Sequence, residues 1–593
     1  MMTKEEGVSE VVRRSVLVQQ KVEVTSDAGL VAAESEEAAE AGAEIFEAGG
    51  NAIDAAVATS FTAAVCEPAM TSIGGGGAAL VYLGETGETF ALEFNGRLPH
   101  AAHENMFLDD LLPPGESLSP FSWRGTRDNV AWMGYRTLGV PGHPAGVLSL
   151  HERFGTLPRS TVLAPAIRRA REGYDINPYY SLLIGHDAKH ILRFPSLAHM
   201  LLPDGRPPVP RDYYNPNGHR VVQPQLAETL EMIAEGGIDA FYRGDVARAI
   251  VEDNRPHGAI VTLEDYAAYE PRWYDDGLRT DYRGYTVVAM PDAFGGVNVL
   301  ETLNILERFN LARSGHNTPQ TLHLLVEALR LSWSDRFRHM GDPEFEDVPI
   351  RGLISKAYAD ERRGLIDARQ APDEIRPGDP WPYQGMRAPA NEKPGGTHPP
   401  GNETTHMVTA DAQGNMVSLV QTLGGEFGSR TISPSTGIIQ RNYTNLFNPE
   451  PGTKNSIGPW KRPLSHDSLV LILKNGRAIA AVGAPGGRRV IPAVIQVILN
   501  IIDFGMGIQD AIGAPRIHAE GCDPKVPEGL LVRTVFVDSR IPAETRAAME
   551  AMGHEIVVMQ DGQFALPVGL LRDEAGLLHG GVTVPVPAMA IGL

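Results

Sequence analysis

Read from its amino terminus, the chain first places apolar residues at helical spacing. Residues 36–47, rich in Ala and Glu, predict a helix that Gly49 and Gly50 stop. Residues 52–65 are apolar on every side, as in a helix buried against a sheet. The pattern then becomes strand-like: 78–83 and 89–94 predict a hairpin around Glu85-Thr86-Gly87, just after the glycine run 74–77. From 140 to about 366, helical patterns alternate with Pro-rich turns. From 367 to 400 the chain is polar, aperiodic and dense in Pro and Gly, which predicts a surface loop or linker. Beyond Gly401 strands return. Residues 407–411 and 416–421 flank Gln413-Gly414-Asn415, and 469–473 and 478–482 flank Asn475-Gly476, the strongest short hairpin signal in the chain. Gly486-Gly487 then opens a long apolar helix over 490–502. Residues 1–29, charged and aperiodic, predict an extension or an edge strand.

Composition narrows the function classes. With 593 residues, 42% of them apolar, the chain can bury a large core; length suggests several domains, but the pattern suggests one compact unit of two interleaved parts. A net charge of -21 argues against nucleic acid as a partner, since phosphate neutralisation needs clustered Lys and Arg. The two cysteines, Cys66 and Cys522, lie far apart and in no metal-type spacing, and the 18 histidines form no H-E-x-x-H. Residues 74–77 lack the Gly-Lys-Ser/Thr ending of a nucleotide loop, so close backbone packing is the better account of them. No metal and no cofactor is expected. The run 490–502 is interrupted by Gln496 and Asn500 and is too short to span a bilayer, so no membrane partner is expected. The start Met-Met-Thr-Lys-Glu-Glu has no following apolar run, which leads to the expectation of a soluble, cytoplasmic protein.

Two segments carry candidate chemistry. A threonine hydroxyl is a poor nucleophile without a base. A chain-terminal threonine supplies one, because an α-amino group has a pKa of about 8. Thr404, in Thr404-Thr405-His406, could act this way only after cleavage of the chain before it; by itself the tripeptide reads more simply as the start of a strand. His406 suits strand-end packing or hydrogen bonding better than metal ligation. Gly486-Gly487, after Pro485 and before Arg488-Arg489, opens a helix whose first N–H groups could receive developing negative charge, although a plain glycine turn is an equal account.

Taken in order, the segments resemble the gamma-glutamyltransferase family from about Gly29 to the C-terminus. The stretch from Ala48 to Val57 looks like its N-terminal helix signature; Gly74 to Gly77, Val140-Pro-Gly142, Phe241-Tyr242, Asp281 to Tyr285 and Gly341-Asp-Pro343 fall in the family's order. Thr404-Thr-His406, Gly414-Asn415, Thr422, Phe427-Gly428, Arg462-Pro-Leu-Ser465 and Pro485-Gly-Gly487 complete the resemblance. It implies an α+β fold, a four-layer αββα sandwich of the N-terminal-nucleophile hydrolase type. It also implies a zymogen that cleaves itself into a large subunit, 1–403, with 367–403 as polar linker, and a small catalytic subunit, 404–593, which stay associated. Thr404 would be the nucleophile, Thr422 would hydrogen-bond its hydroxyl, and the N–H groups of Gly486 and Gly487 would form the oxyanion hole. The implied substrates are gamma-glutamyl compounds such as glutathione, or a related carboxylate-bearing acyl amide, with water or an amine as acceptor and hydrolysis favoured over transpeptidation.

The departures fall on the donor site. Family members acting on glutathione hold the donor carboxylate with Arg in an Arg-Glu-x-x-Pro segment and two adjacent serines; here stand Asn95-Gly-Arg-Leu-Pro99, which displaces Arg97 by two positions, and Ser465-His466. Where a Gln and an Asp hold the donor's amino group stand Tyr443 and Leu446, with Asn442 and Asn445 beside them, and a family Asn becomes Gly424. Residues 447–462 are shorter than in members with a closing lid. Arg97, Asn442, Tyr443, Asn445, Ser465 and His466 are therefore the expected substrate-binding set, for a donor with a carboxylate or polar end but without an α-ammonium group. The alternative is a family member that folds but serves only in binding or structure.

Overall fold

The computed structural model describes residues 19–113, 124–212, 214–395, 403–519, 533–559 and 564–593; Cys522 and the stretch 396–402 lie outside them. Two seven-stranded antiparallel sheets face each other. The first runs Met589–Gly592, Gly29–Ala33, Thr405–Asp411, Met416–Thr422, Gly76–Tyr82, Thr89–Phe94, Arg272–Tyr274. The second runs Val24–Ser26, Leu578–Val582, Val568–Arg572, Arg477–Gly483, Val470–Lys474, Tyr285–Ala289, Leu278–Tyr282. Strand side chains alternate between faces. Val31, Val81 and Met407 therefore pack under the helices Glu36–Glu47, Ala52–Cys66, Arg159–Glu172 and Pro224–Tyr242. Leu30, Leu80, Val408 and Val420 meet Leu471, Ala481, Val568 and Leu570 between the sheets. Gly296–Leu306, Pro319–His339 and Val490–Ile502 close the far face of the second sheet. The layers are helix, sheet, sheet, helix: the expected αββα sandwich.

Strands buried on both faces explain why their sequences read as nearly continuous apolar runs rather than as alternation. The Asn475-Gly476 hairpin forms as expected, both residues having positive φ (53° and 76°), the mirror-image turn that matches strand twist. Residues 1–29 include the edge strand Val24–Ser26, paired with Leu578–Val582.

Two expectations change. The helical reading of 140–366 misses the hairpin Leu278–Tyr282/Tyr285–Ala289, whose turn, Arg283-Gly284, also has positive φ at both positions (52° and 83°). Arg-Gly is a weak turn signal, and the strand formers Thr280, Tyr282, Tyr285, Thr286, Val287 and Val288 are interrupted by it within a region of helical patterns. The stretch 367–395 has no regular element beyond the turn Pro382–Gln384 and most of it is exposed, as a surface loop would be, but it is anchored at a few points. Trp381, Ala371 and Ile375 are buried, and the Glu392 carboxylate is held by Lys454 at 2.9 Å and His339 at 3.1 Å. The polar composition thus reflects solvent exposure along most of the stretch, with Glu392 as the anchored exception.

Candidate active site

The position of Thr404 follows from strand register. Thr405–Asp411 lies between two partners, with Met407 opposite Ala33 and Thr405 opposite Gln421. Even-numbered residues His406, Val408 and Ala410 face the second sheet, whereas Met407 and Thr409 face the helices. By the same period Thr404 points between the sheets, and Thr422, sharing the side of Val420, points there from the neighbouring strand. The main chain is continuous through Glu403 and Thr404. The Thr404 hydroxyl donates to the Glu403 carbonyl oxygen at 2.8 Å and the Thr422 hydroxyl donates to the same oxygen at 2.5 Å. Gly424 N–H donates to Thr422 Oγ1 at 2.9 Å, which fixes the direction of the hydroxyl proton. The expected bond from Thr422 to the Thr404 hydroxyl is thus replaced. While the peptide bond is intact its carbonyl is the stronger acceptor, and both hydroxyls converge on it.

The second sheet brings the glycine turn to the same end. A Cβ on Gly483 would lie 2.1 Å from Cε1 of His406, so the end of Arg477–Gly483 touches the start of the Thr405–Asp411 strand. Three residues later Gly486 has φ 135°, and a Cβ there would lie 2.7 Å from the Ala565 main chain; Gly487 has φ 59°. Only glycine fits this turn. Its N–H groups open the turn Gly487–Arg489 and the helix Val490–Ile502. Arg488 turns inward over Phe337, beside buried Arg336, whose pKa burial and the Arg488 charge push down to about 9. Burial pushes His406 down to about 3 and leaves it a neutral packing residue, with Ser418 Oγ 3.2 Å from its Nε2.

The expected substrate-binding residues do not all converge. Arg97 pairs with Glu344 at 2.8 Å and donates to the Trp460 carbonyl at 2.9 Å, so its guanidinium is already engaged by an anion. Tyr443 is a core residue: its ring packs with Leu98, Phe107 and Phe447, and its hydroxyl lies 3.5 Å from the Gly75 carbonyl oxygen. A buried phenol under the glycine run supports the wall of the site rather than meeting a donor. The Ser465 hydroxyl donates to Asp467 at 2.7 Å, and His466 is buried with its ring 5.7 Å from that of Trp333. Asn442 and Asn445 do come together. Asn442 Nδ2 donates to the Trp132 carbonyl at 2.8 Å and Asn445 Nδ2 to that of Gly424. Their Oδ1 atoms are buried without a partner and crowd Gly424, where a Cβ would lie 2.8 Å and 3.1 Å from them. These are two acceptors facing the loop that follows Thr422.

Sequence reasoning missed Arg441, Asp467 and Glu67. Arg441 is buried and donates to Asn95 O and Oδ1 at 2.7 and 2.6 Å. Burial pushes the Asp467 carboxyl up, against the Ser465 hydroxyl and the Arg441 charge. Glu67 lies at the end of helix Ala52–Cys66, accepting from Ser35 Oγ at 2.7 Å. Burial pushes its pKa up to about 7, while the nearby Thr405 and Ser35 hydroxyls oppose the rise. Glu67 is a single acid after an apolar run, whereas Arg441 and Asp467 sit among other polar residues and gain meaning only from their burial in the fold. Among the described residues, His323, Glu327 and His554 also gather in metal-ligand fashion, which the absence of a metal spacing did not foresee. His323 and His554 share a hydrogen bond of 2.8 Å, His323 Nε2 donates to the Asp367 carbonyl, and Arg330 pairs with Glu327 at 2.9 Å. Protein groups thus already engage the atoms a cation would need. No described helix is long and apolar enough to cross a membrane.

Comparison with known proteins adds the following. The family model described as Gamma-glutamyltranspeptidase matches residues 38–582. The chain is similar to the Acylase ACY 1 proenzyme of Pseudomonas sp. (strain SE83), 37% identical over 541 residues that cover 91% of this chain and 89% of the relative. It is also similar to the Glutathione hydrolase proenzyme of Escherichia coli (strain K12), 32% identical over 551 residues and covering 91% and 87% of the two chains. Among solved structures, cephalosporin acylase from Bacillus halodurans superposes with a TM-score of 0.83 at 30% identity, covering 99% of each chain.

Two outcomes are expected from this geometry. Thr422→Val removes the hydroxyl that donates to the Glu403 carbonyl, and cleavage of the purified precursor, followed by gel densitometry, should slow by roughly tenfold to a hundredfold. Cleavage at the wild-type rate would show that the bond is incidental. The Glu67 pKa is raised on folding, so the native state holds its proton where the unfolded state has lost it. Stability is then greatest below the unfolded value and falls as pH rises towards about 7, by roughly 3 kcal/mol in all. Glu67→Gln should flatten this slope, so urea midpoints measured from about pH 5 to about pH 8 should fall less steeply than in wild type. Parallel slopes would remove Glu67 from the pH response.

Proposed function

The chain belongs to the gamma-glutamyltranspeptidase family, and from that premise we propose that Thr404 is the nucleophile of a self-cleaving amidohydrolase and acyltransferase. The observation that carries this reading is the convergence of the Thr404 and Thr422 hydroxyls on one carbonyl oxygen, that of Glu403. In maturation, Thr404 Oγ attacks the Glu403 carbonyl carbon while the Thr422 hydroxyl steadies the charge growing on the oxygen. The C–N bond breaks as the hydroxyl proton passes to the Thr404 nitrogen, an ester joins the two residues, and water hydrolyses it to the Glu403 carboxylate and the free Thr404 hydroxyl. The products are subunits 1–403 and 404–593.

Maturation creates the base that turnover needs. The freed α-amino group of Thr404, with a pKa of about 8, takes the proton from the adjacent hydroxyl. Oγ attacks the acyl amide of the donor, and the N–H groups of Gly486 and Gly487 receive the oxyanion. The amine leaves with a proton, and water, or a second amine, releases the acyl group. Loss of the Glu403 carbonyl leaves the Thr422 hydroxyl free to orient Thr404.

For the donor we propose a carboxylate-bearing acyl amide, with gamma-glutamyl compounds in the same class but not preferred. Leu446 stands where an anion would meet an ammonium group, and the Asn442 and Asn445 Oδ1 atoms offer dipoles in place of charge. The names of the acylase relatives are in keeping with this, and cephalosporin-type amides belong in the class. Water is the preferred acceptor in this reading. Residues 447–462 fold back on themselves, with Asn448 N–H bonded to Asn455 O at 2.9 Å and Lys454 held by Glu392, which supports an open leaving-group side.

Thr404→Ala should leave one uncut chain by mass spectrometry and, with residues 1–403 and 404–593 expressed as separate chains, lower kcat by about 10⁴ to 10⁶ relative to the same two chains carrying Thr404. Two chains of normal size from the single-chain variant would overturn the assignment. Glutaryl anilide should be hydrolysed with kcat/KM at least equal to that of gamma-glutamyl anilide. A gamma-glutamyl preference of about a hundredfold, roughly 2.7 kcal/mol, would mean that an ammonium site has been rebuilt.

A further inference from the structure

A guanidinium is expensive to bury, and buried charges are ordinarily paired. Arg441 departs from this. Its side chain is only 1% exposed, Nη1 donates to the main-chain and side-chain oxygens of Asn95, and Nε and Nη2 have no partner. The anions within electrostatic range are committed elsewhere, Glu93 to Arg462 at 3.1 Å and Asp467 to the Ser465 hydroxyl. The ring of Tyr443, 4.9 Å from the guanidinium carbon, supplies a platform that holds the group in place. Two N–H vectors of a fixed cation are thus left unanswered by the protein.

Their location relates them to Thr404. Thr422 lies opposite Gly76 in the sheet, and a Cβ on Gly76 would lie 2.4 Å from the Asn95 oxygen that accepts from Arg441. Two strand spacings, roughly 10 Å, therefore separate Thr422 from Asn95. A five-carbon diacid spans roughly 5 Å between its carboxyl carbons, and a hydrogen bond adds about 3 Å at the carboxylate end. We infer that Arg441, not Arg97, receives the carboxylate of the acyl donor, through Nε and Nη2. The family's Arg-Glu-x-x-Pro segment would place its arginine at position 95; here Asn95 holds instead the head of an arginine from a different segment. Arg97, on the same strand end, is turned away to Glu344. Nε and Nη2 lie on one edge of the guanidinium plane, the edge that pairs with both oxygens of a carboxylate. The inference rests on the reading of Thr404 as nucleophile and fixes the donor class as one acyl carbonyl and one carboxylate a short chain apart.

The test compares glutaryl 4-nitroanilide with the same anilide carrying a methyl ester in place of its carboxylate. Mature wild type, Arg441→Met, Arg441→Lys and Arg97→Met are assayed, and maturation is read separately from chain masses. Wild type should prefer the acid by at least about 30-fold in kcat/KM, the effect of one or two charge-assisted bonds. In Arg441→Met that ratio should drop below about threefold, chiefly through KM, with Arg441→Lys in between, since lysine keeps the charge but not the fork. Arg97→Met should keep the wild-type ratio. A wild-type enzyme indifferent to the carboxylate, an Arg441→Met ratio like wild type, or a ratio lost in Arg97→Met would each overturn the inference. Should Arg441→Met fail to mature, the wild-type ratio and Arg441→Lys still decide it. Failure of wild type to cleave either donor would count against the nucleophile assignment, whereas good turnover with an unaltered ratio counts against Arg441 alone.

Discussion

The register of one central strand governs the site. Thr405–Asp411 is buried on both faces and paired on both edges, so it cannot slide without moving Val408 and Ala410 out of the inter-sheet core. Because side chains alternate strictly, a slip of one residue would turn Thr404 towards the helices and put Thr405 between the sheets. The same register places Thr422 one strand away with its hydroxyl on the same side. Packing thus holds the intact peptide bond and the two hydroxyls together, at the end of the sandwich where the strand Arg477–Gly483 leads into the glycine turn. The contact of Gly483 with His406 extends the constraint across the sandwich, since the two sheets can approach at that end only if position 483 has no side chain.

Charges are sorted around this frame in a consistent way. Arg462 is answered by Glu93 and Asp342, Arg430 by Asp187, Arg362 by Asp335, and Arg97 by Glu344. Each pair ties segments distant in sequence. Breaking one of the first three pairs leaves an uncompensated buried charge that costs several kcal/mol, whereas Glu344 is substantially exposed and its pair with Arg97 is weaker. Arg441 lacks such a partner, having dipoles and an aromatic face around it but no anion within bonding distance; buried Arg336, on the helix side of the second sheet, is likewise held by carbonyl and amide oxygens alone. The acceptors Asn442 Oδ1 and Asn445 Oδ1 are also buried and unmatched, beside Gly424. Unanswered polar atoms on residues 441, 442 and 445, close together in sequence and beside the loop that follows Thr422, are groups a ligand could complete.

Much of this was legible in the sequence, for identifiable reasons. The helices 36–47, 52–66 and 490–502 and the Asn475-Gly476 hairpin follow from local pattern and turn chemistry, which act over a few residues. Thr404, Thr422 and the 486–487 turn could be singled out because the ordered resemblance spans most of the chain. Donor-site assignments carried over position by position fared worse. Arg97 is close in sequence to the expected arginine, but the isolated bridge between Arg97 and Val140 directs its side chain to Glu344. Tyr443 occupies the aligned place of a polar ligand, but a ring of its size packs against Gly96 and Gly139 and becomes wall. The hairpin 278–289 was obscure because its Arg-Gly turn is a weak signal within a long helical region, and the anchors of 367–395 at Trp381 and Glu392 depend on contacts distant in sequence.

The displacement of the cation shows why alignment is a weak guide to specificity. A pocket constrains where a charge must be, not which residue carries it. Once position 95 became too short to reach the donor, a guanidinium from position 441 could occupy the same volume, provided that Asn95 fixed one nitrogen and Tyr443 supported the plane. Tyr443 and Asn95 would then be parts of one substitution, and neither reads as a ligand because neither is one. On this account, changing either should disturb the hold on the donor through Arg441, and the two changes together should cost less than their sum.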